Sequence, residues 1–310
     1  MNFQVFVYYC GIVGAYSALA ASLLGRLISP SSAEPSMGEK LFVSLLDGGL
    51  VGFFVSFGVA SLDTAWNSSK VQLGKVLIRG FGAGVIGLLG GIVGAAVGFL
   101  MVYFTGWPIF ALPGWAIAGM AIGVSVGVYD WVMAKVQKEE AGQDGKIKNG
   151  FLGGLAGGLA GGVLFFCVKW ILVLAIGKEN PISASAWGFV GLGLGIGFLV
   201  GLAQVVLREA WIRVEAGKRP GKEVILGKPE VLVGRSETCD LGLFGDTSVD
   251  KTHAKFMAKD QKYLVMDAGS ESGTFVNEKK IQGAVALKNG DAIRLGGYTI
   301  RFHEKKKSRK

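Results

Sequence analysis

Six apolar stretches fill the first two thirds of this 310-residue chain, near Val5–Arg26, Leu41–Leu62, Gly80–Phe104, Ile109–Met133, Gly150–Ile176 and Ala186–Leu207. About 20 helical residues cross a hydrocarbon layer ~30 Å thick. Lipid offers no partner to a free N–H or C=O, so a spanning segment must be a helix. Residues 1–213 therefore read as an α-helical transmembrane bundle of about six helices. The first stretch has no Lys or Arg ahead of its apolar run and contains Ala18-Leu19-Ala20. Retention and signal-type cleavage both stand there, with the missing basic region favouring retention.

Lys and Arg set the orientation. Lys70, Lys75 and Arg79, then Lys135, Lys138, Lys146 and Lys148, then Arg208, Arg213, Lys218 and Arg219 fall on one side. The other side holds Arg26, Lys40 and Lys178. The basic side is expected to be cytoplasmic, which puts the C-terminal region in the cytoplasm. All seven tryptophans lie near segment ends, as interfacial anchors do.

The chain has 50 glycines, and many follow a four-residue step: Gly119, Gly123, Gly127; Gly153, Gly157, Gly161; Gly193, Gly197, Gly201. That step puts them on one helix face, where backbones can approach closely. Tight bundle packing is expected, with homo-oligomer contacts through the same faces. Gly80, Phe81, Gly84, Gly87 and Gly91 recur seventy positions on as Gly150, Phe151, Gly154, Gly157 and Gly161. Duplicated hairpins follow, with the sixth segment starting a third copy. A channel or transporter needs polar groups at mid-membrane. Asp47 and Lys169 lie within segments, and Asp63 and Asp130 sit at cytoplasmic ends.

Past the last stretch the pattern changes. Residues 214–221 read as a linker, 222–304 as a soluble domain and 305–310 as a basic tail. EVIL, EVLVGR, AKFMAKD, KYLVMD, TFVN, AIRLG and YTIRF alternate as strands, with turn residues between them. Short strands at this spacing form an antiparallel sandwich. Apart from the tail, Lys and Arg balance Asp and Glu in this domain, so no basic face for nucleic acid is expected. The tail KKKSRK reads as a solvated end, with contact to anionic lipid as the alternative. Cys10, Cys167 and Cys239 have neither metal-ligand nor disulfide spacing. No phosphate-cradling glycine motif follows a strand, and neither metal nor cofactor is expected.

VLVGRSETCDLGLFGDTSVDKTHAKF, YLVMDAGSESGTFVN and LKNGDAIRLGGYTIRF together resemble the forkhead-associated (FHA) domain family. The order Gly-Arg, His-Ala, Ser-x-x-Gly-Thr-x-Val-Asn, Gly-Asp carries the resemblance, over about Gly221–His303. It implies a non-enzymatic all-β sandwich that binds phosphothreonine peptides through loops at one end. It also implies bacterial Ser/Thr-phosphorylation signalling, which with the six apolar segments gives the expectation of a bacterial cytoplasmic-membrane protein. On this resemblance Arg235 pairs with the phosphate, as a guanidinium fork suits a dianion. Gly234 permits the turn that aims it, His253 braces the loop, and Gly273, Thr274 and Asn277 shape the neighbouring loop.

The match departs from the family at the site. Asp250, followed by Lys251, stands where the family has a Ser whose hydroxyl donates to a phosphate oxygen. Ser272, preceded by Glu271, stands where it has a peptide-holding Asn. Like charges ~4 Å apart cost about 1 kcal/mol in water and more when desolvated. Two readings follow for the domain: a phosphothreonine reader, or a phospho-independent scaffold with a degenerate site. A channel or transporter regulated by the domain is a third reading for the whole chain.

Overall fold

The structure is a computed structural model and describes residues 3–29, 34–67, 72–136, 144–176, 184–218, 220–227, 230–259 and 262–305. Lys70, Lys138, Lys178, Arg219 and the tail beyond Lys305 lie outside them. Six helices are long and apolar enough to cross a membrane. They are α1 (Phe3–Ile28), α2 (Met37–Trp66), α3 (Leu73–Thr105), α4 (Leu112–Val136), α5 (Asp144–Ile176) and α6 (Ala184–Val206). Local chemistry sets several ends. Ser36 and Glu39 cap α2 reciprocally, each side chain accepting the other's backbone N–H at 3.2 and 2.7 Å. Gly106, at φ +73°, stops α3 in the left-handed region, and a 3-10 turn at Pro108–Ala111 leads into α4.

Glycine dictates which helices pair. A Cβ on Gly52 or Gly91 of the α2–α3 pair would strike the carbonyl oxygen of Gly87 or Gly48. The same relation holds between Gly119 and Gly154, and between Gly123 and Gly150, in the α4–α5 pair. It returns between Gly193 of α6 and Gly14 of α1. The third hairpin is thus α6 with α1, and the helices close into a ring. These contacts put the repeat at 67 residues rather than seventy: Gly52 and Gly87 correspond to Gly119 and Gly154. The glycine string at 80–91 matches 150–161 in letters, but the helices are staggered by three residues relative to that match.

Helices α2, α4 and α6 touch one another inside the ring. Their equivalent residues are buried in three apolar layers: Val51, Ala118 and Leu192; Val55, Ile122 and Ile196; Val59, Val126 and Val200. One turn further on stand Asp63, Asp130 and Gln204, also at equivalent positions. Arg79 opens toward this layer from α3, and Lys146, its counterpart 67 residues on, from α5. Arg79 forks onto Asp130, Nε to Oδ1 at 2.7 Å and Nη2 to Oδ2 at 2.6 Å. It also reaches Asp63 Oδ2 at 2.8 Å and donates to Thr64 Oγ1 at 2.9 Å. Lys146 Nζ bridges Asp63 and Asp130 at 2.9 and 3.1 Å. Two acids and two bases neutralise each other across four helices.

The second part is a β-sandwich of strands β1 (Ala210–Ala216), β2 (Glu223–Ile225), β3 (Glu230–Gly234), β4 (Leu241–Gly242), β5 (Ala254–Lys259), β6 (Lys262–Asp267), β7 (Thr274–Val276), β8 (Lys279–Lys280), β9 (Val285–Ala286), β10 (Ala292–Leu295) and β11 (Tyr298–Glu304). One sheet runs β2-β1-β11-β10-β7-β8 and the other β4-β3-β5-β6-β9. All pairs are antiparallel except β3–β4. Alternate residues such as Ile212, Val233, Phe256, Ile293, Ile300 and Phe302 are buried between the sheets.

The expected linker at 214–221 is corrected here. Residues 210–216 form β1, paired along β11 from Ala210–Glu304 to Ala216–Thr299. Arg208-Glu209 is the only charged pair between Ala186 and Ile212, and it marks the change from helix to strand. Only Leu207, Arg208 and Glu209 separate α6 from β1, and side chains clamp this junction. The Arg208 guanidinium lies between the rings of Phe3 and Trp211, at 4.1 and 3.9 Å. Trp211 stacks on His303, Asn149 donates to the Leu207 carbonyl at 3.2 Å, and Lys305 Nζ donates to the Val206 carbonyl.

Candidate functional site

The loops after β3, before β5 and after β6 meet at the end of the sandwich away from α6. Strand β11 runs from the helix-side Ala210–Glu304 pair to Tyr298, next to Gly297, whose N–H donates to Asp246 at 2.8 Å. At ~3.3 Å per residue this puts the loop cluster about 20 Å from the helix end.

Gly234 ends β3 against the backbone of 250–253. A Cβ there would overlap the Lys251 carbonyl and crowd His253 N. Its backbone is not in the left-handed region, so glycine is needed for close approach rather than for the turn expected of it. That approach lets Arg235 N–H and Ser236 N–H donate to the carbonyls of Asp250 and Lys251 at 2.7 and 2.9 Å. The Arg235 side chain is exposed, and among the described residues no carboxylate pairs with it or with Lys251.

His253 is fully buried and joins two loops. Its Nδ1 accepts the Asp250 N–H at 3.1 Å, which leaves Nε2 to carry the proton toward the Gly273 carbonyl at 3.3 Å. This network assigns the Nε2–H tautomer. Asp250 turns its carboxylate onto the Glu271 N–H at 2.8 Å, and Ser272 Oγ donates to the Ser248 carbonyl at 2.7 Å. Both departures from the family pattern are therefore cross-links between the loops at 248–250 and 271–272.

Asp267 organises the rest of the second loop. It accepts from Gly269 N, Ser270 N, Ser270 Oγ and Thr274 Oγ1 at 2.6–2.9 Å. Burial opposes its charge, but these hydrogen bonds outweigh burial and hold its carboxyl below the usual range. Thr274 is buried by the same bond. Asp246 is likewise held low by hydrogen bonds from Ser248 and Gly297.

The structure brings Gly234, Arg235, Asp250, Lys251, His253, Glu271, Ser272, Gly273 and Thr274 together. Asn277 is a correction. It lies past the other end of β7 at φ +48°, in the β7–β8 turn with Glu278 at φ +64°. There it donates to Asp291 at 2.9 Å and accepts from Ala292 N at 3.0 Å, pinning the turn to β10. Sequence reasoning missed Asp267. The Ser and Thr residues at 270 and 274 around one carboxylate were the available signal for Asp267.

The FHA domain family matches residues 231–296. The glycogen accumulation regulator GarA of Mycolicibacterium smegmatis is 31% identical over 128 residues, 41% of this chain and 69% of that protein. The oxoglutarate dehydrogenase inhibitor of Corynebacterium diphtheriae is 33% identical over 91 residues, 29% of this chain and 62% of its own length. Among solved structures, the FhaA FHA domain complexed with the intracellular domain of Rv3910 aligns at 28% identity and a TM-score of 0.28. That alignment covers 30% of this chain and 99% of the other. With its motif residues gathered on these loops, the chain belongs to the FHA domain family through its C-terminal sandwich.

Proposed function

We propose that this chain is a membrane-anchored recognition protein, not an enzyme. Its six apolar helices hold it in a bilayer, and its FHA domain binds phosphothreonine-bearing proteins at the cytoplasmic face. One observation carries the reading: Arg235 and Lys251 are exposed and, among the described residues, pair with no carboxylate, on loops locked together by His253, Asp250 and Ser272. An anion site needs its cations free and its backbone set in advance. The orientation is supported by Lys75, Arg79, Lys135, Lys146 and Lys148, which lie at the helix ends nearest the domain. The three apolar layers between α2, α4 and α6 argue against a water-filled path along the axis, and so against a channel.

A phospho-independent scaffold is the second reading, favoured by the carboxylates of Asp250 and Glu271 at the same end. Fluorescence anisotropy with paired phosphorylated and unphosphorylated threonine peptides separates the two. A phosphate preference that disappears in Arg235→Ala supports the reader, and equal affinities reject it. Protease added to sealed, right-side-out cells tests the orientation: the domain should survive, and its release would invert the proposal.

A further inference from the structure

Lys280 lies outside the family motif, yet it stands over the recognition loop. Gly273 has φ +79° and no side chain, and the Lys280 ammonium lies 2.8 Å from where a Cβ on Gly273 would be. Two constraints fix this placement. Strand β8 pairs with β7 so that Lys280 lies opposite Phe275. Residues opposite each other share a face, so the stem crosses the outer face of the six-stranded sheet toward the loop.

Among the described residues no carboxylate pairs with Lys280, although Asp250 and Glu271 belong to the same loop cluster. Asp250 is spent on the Glu271 N–H. The next cation along the row, Arg294, lies over the Phe275 ring at 4.1 Å and is paired with Glu278 at 3.3 Å. Lys280 is thus the available charge on this side of the loop. Arg235 and Lys251 belong to the other side of the cluster, where the backbone after β3 meets the 250–253 turn.

We propose that Lys280 is a specificity residue that reads an acidic side chain flanking the phosphothreonine. This rests on the phosphothreonine reading. A peptide whose phosphate meets Arg235 and whose chain crosses Ser272 and Gly273 brings its flank to the Lys280 ammonium. Ser272 has given its hydroxyl to the Ser248 carbonyl, so it does not hold the peptide backbone as the family's Asn would. A flanking charge pair compensates in part.

The test uses the full chain in detergent micelles and labelled peptides, read by anisotropy. An Asp is walked along both flanks of a phosphothreonine, with Ala in its place as reference and each peptide repeated without phosphate. One flanking position should bind about threefold to fivefold tighter with Asp than with Ala, the scale of an exposed ion pair. Lys280→Ala should erase that ratio and leave the phosphate preference in place. Lys280→Glu should reverse it in favour of a flanking Lys. An Asp preference that persists in Lys280→Ala, or is missing at every position in the unaltered chain, overturns the inference. Loss of phosphate preference with a Lys280-dependent Asp preference overturns the phosphothreonine reading and leaves Lys280 an acidic-peptide contact.

Discussion

Asp250 gives the recognition end a trade between order and charge. Its carboxylate ties two loops together through the Glu271 N–H, and on the proposed phosphothreonine reading it also puts a negative group beside the phosphate. Replacing it with Ser removes the repulsion and restores a hydroxyl donor. Asp250→Ser is expected to raise affinity for phosphothreonine peptides about tenfold, given one like charge in a partly desolvated site. Anisotropy titration checks this, and an unchanged or weaker affinity contradicts it. Asp267 makes a different prediction. Its folded carboxyl lies below the usual value of about 4, so its stabilising contribution is fully present above about pH 4. That contribution fades as pH falls through the lowered folded value. Hydrogen exchange of residues 268–273, corrected for intrinsic rates, should rise on acidification below pH 4. Asp267→Asn should show raised exchange already at neutral pH and little further change.

The helices were legible as elements because apolar length alone marks them, and the strands because residues such as Ile293, Leu295, Ile300 and Phe302 alternate. Their pairing was less legible. Glycine rows show a face but not its partner, and the same letters matched at seventy residues while the backbones meet at 67. The ionic layer was hidden for a similar reason. Asp63, Arg79, Asp130 and Lys146 each look like helix-end charges until four helices bring them together. Asp63, with its side chain 4% exposed, is the most enclosed of the four. Removing one member of such a group leaves buried charge uncompensated, at a cost of about 3–5 kcal/mol. Asp63→Asn should lower the thermal midpoint in detergent sharply. Adding Lys146→Met should recover part of the loss, which a double-mutant cycle measures. Glycines differ just as clearly. Gly52→Ala forces α2 from α3 and is expected to cost about 1–3 kcal/mol. Gly74→Ala meets no neighbouring atom and should stabilise by about 0.5–1 kcal/mol. If both behave alike in unfolding experiments, close backbone approach is not what holds the hairpins.

At the scale of the molecule, the FHA loops stand at the far end of a sandwich fixed to α6 by three residues and a clamped arginine. The chain change at 210 was hard to see in sequence, since Ala210, Trp211 and Ile212 are too short an apolar stretch after Arg208-Glu209 to mark a strand and only pairing with β11 reveals them. The helical ring has a further consequence for how the protein is made. Its third hairpin joins α1 with α6, the first and last of the six helices in chain order. Some 160 residues separate Ile28 from Ala186, so at synthesis rates of up to about 20 residues per second α1 waits about eight seconds or longer for its partner. Through that interval its glycine face at Gly11 and Gly14 lacks the α6 surface that covers it in the fold. The ring is therefore sealed only after translation has passed α6, and the FHA domain follows a bundle that has just closed.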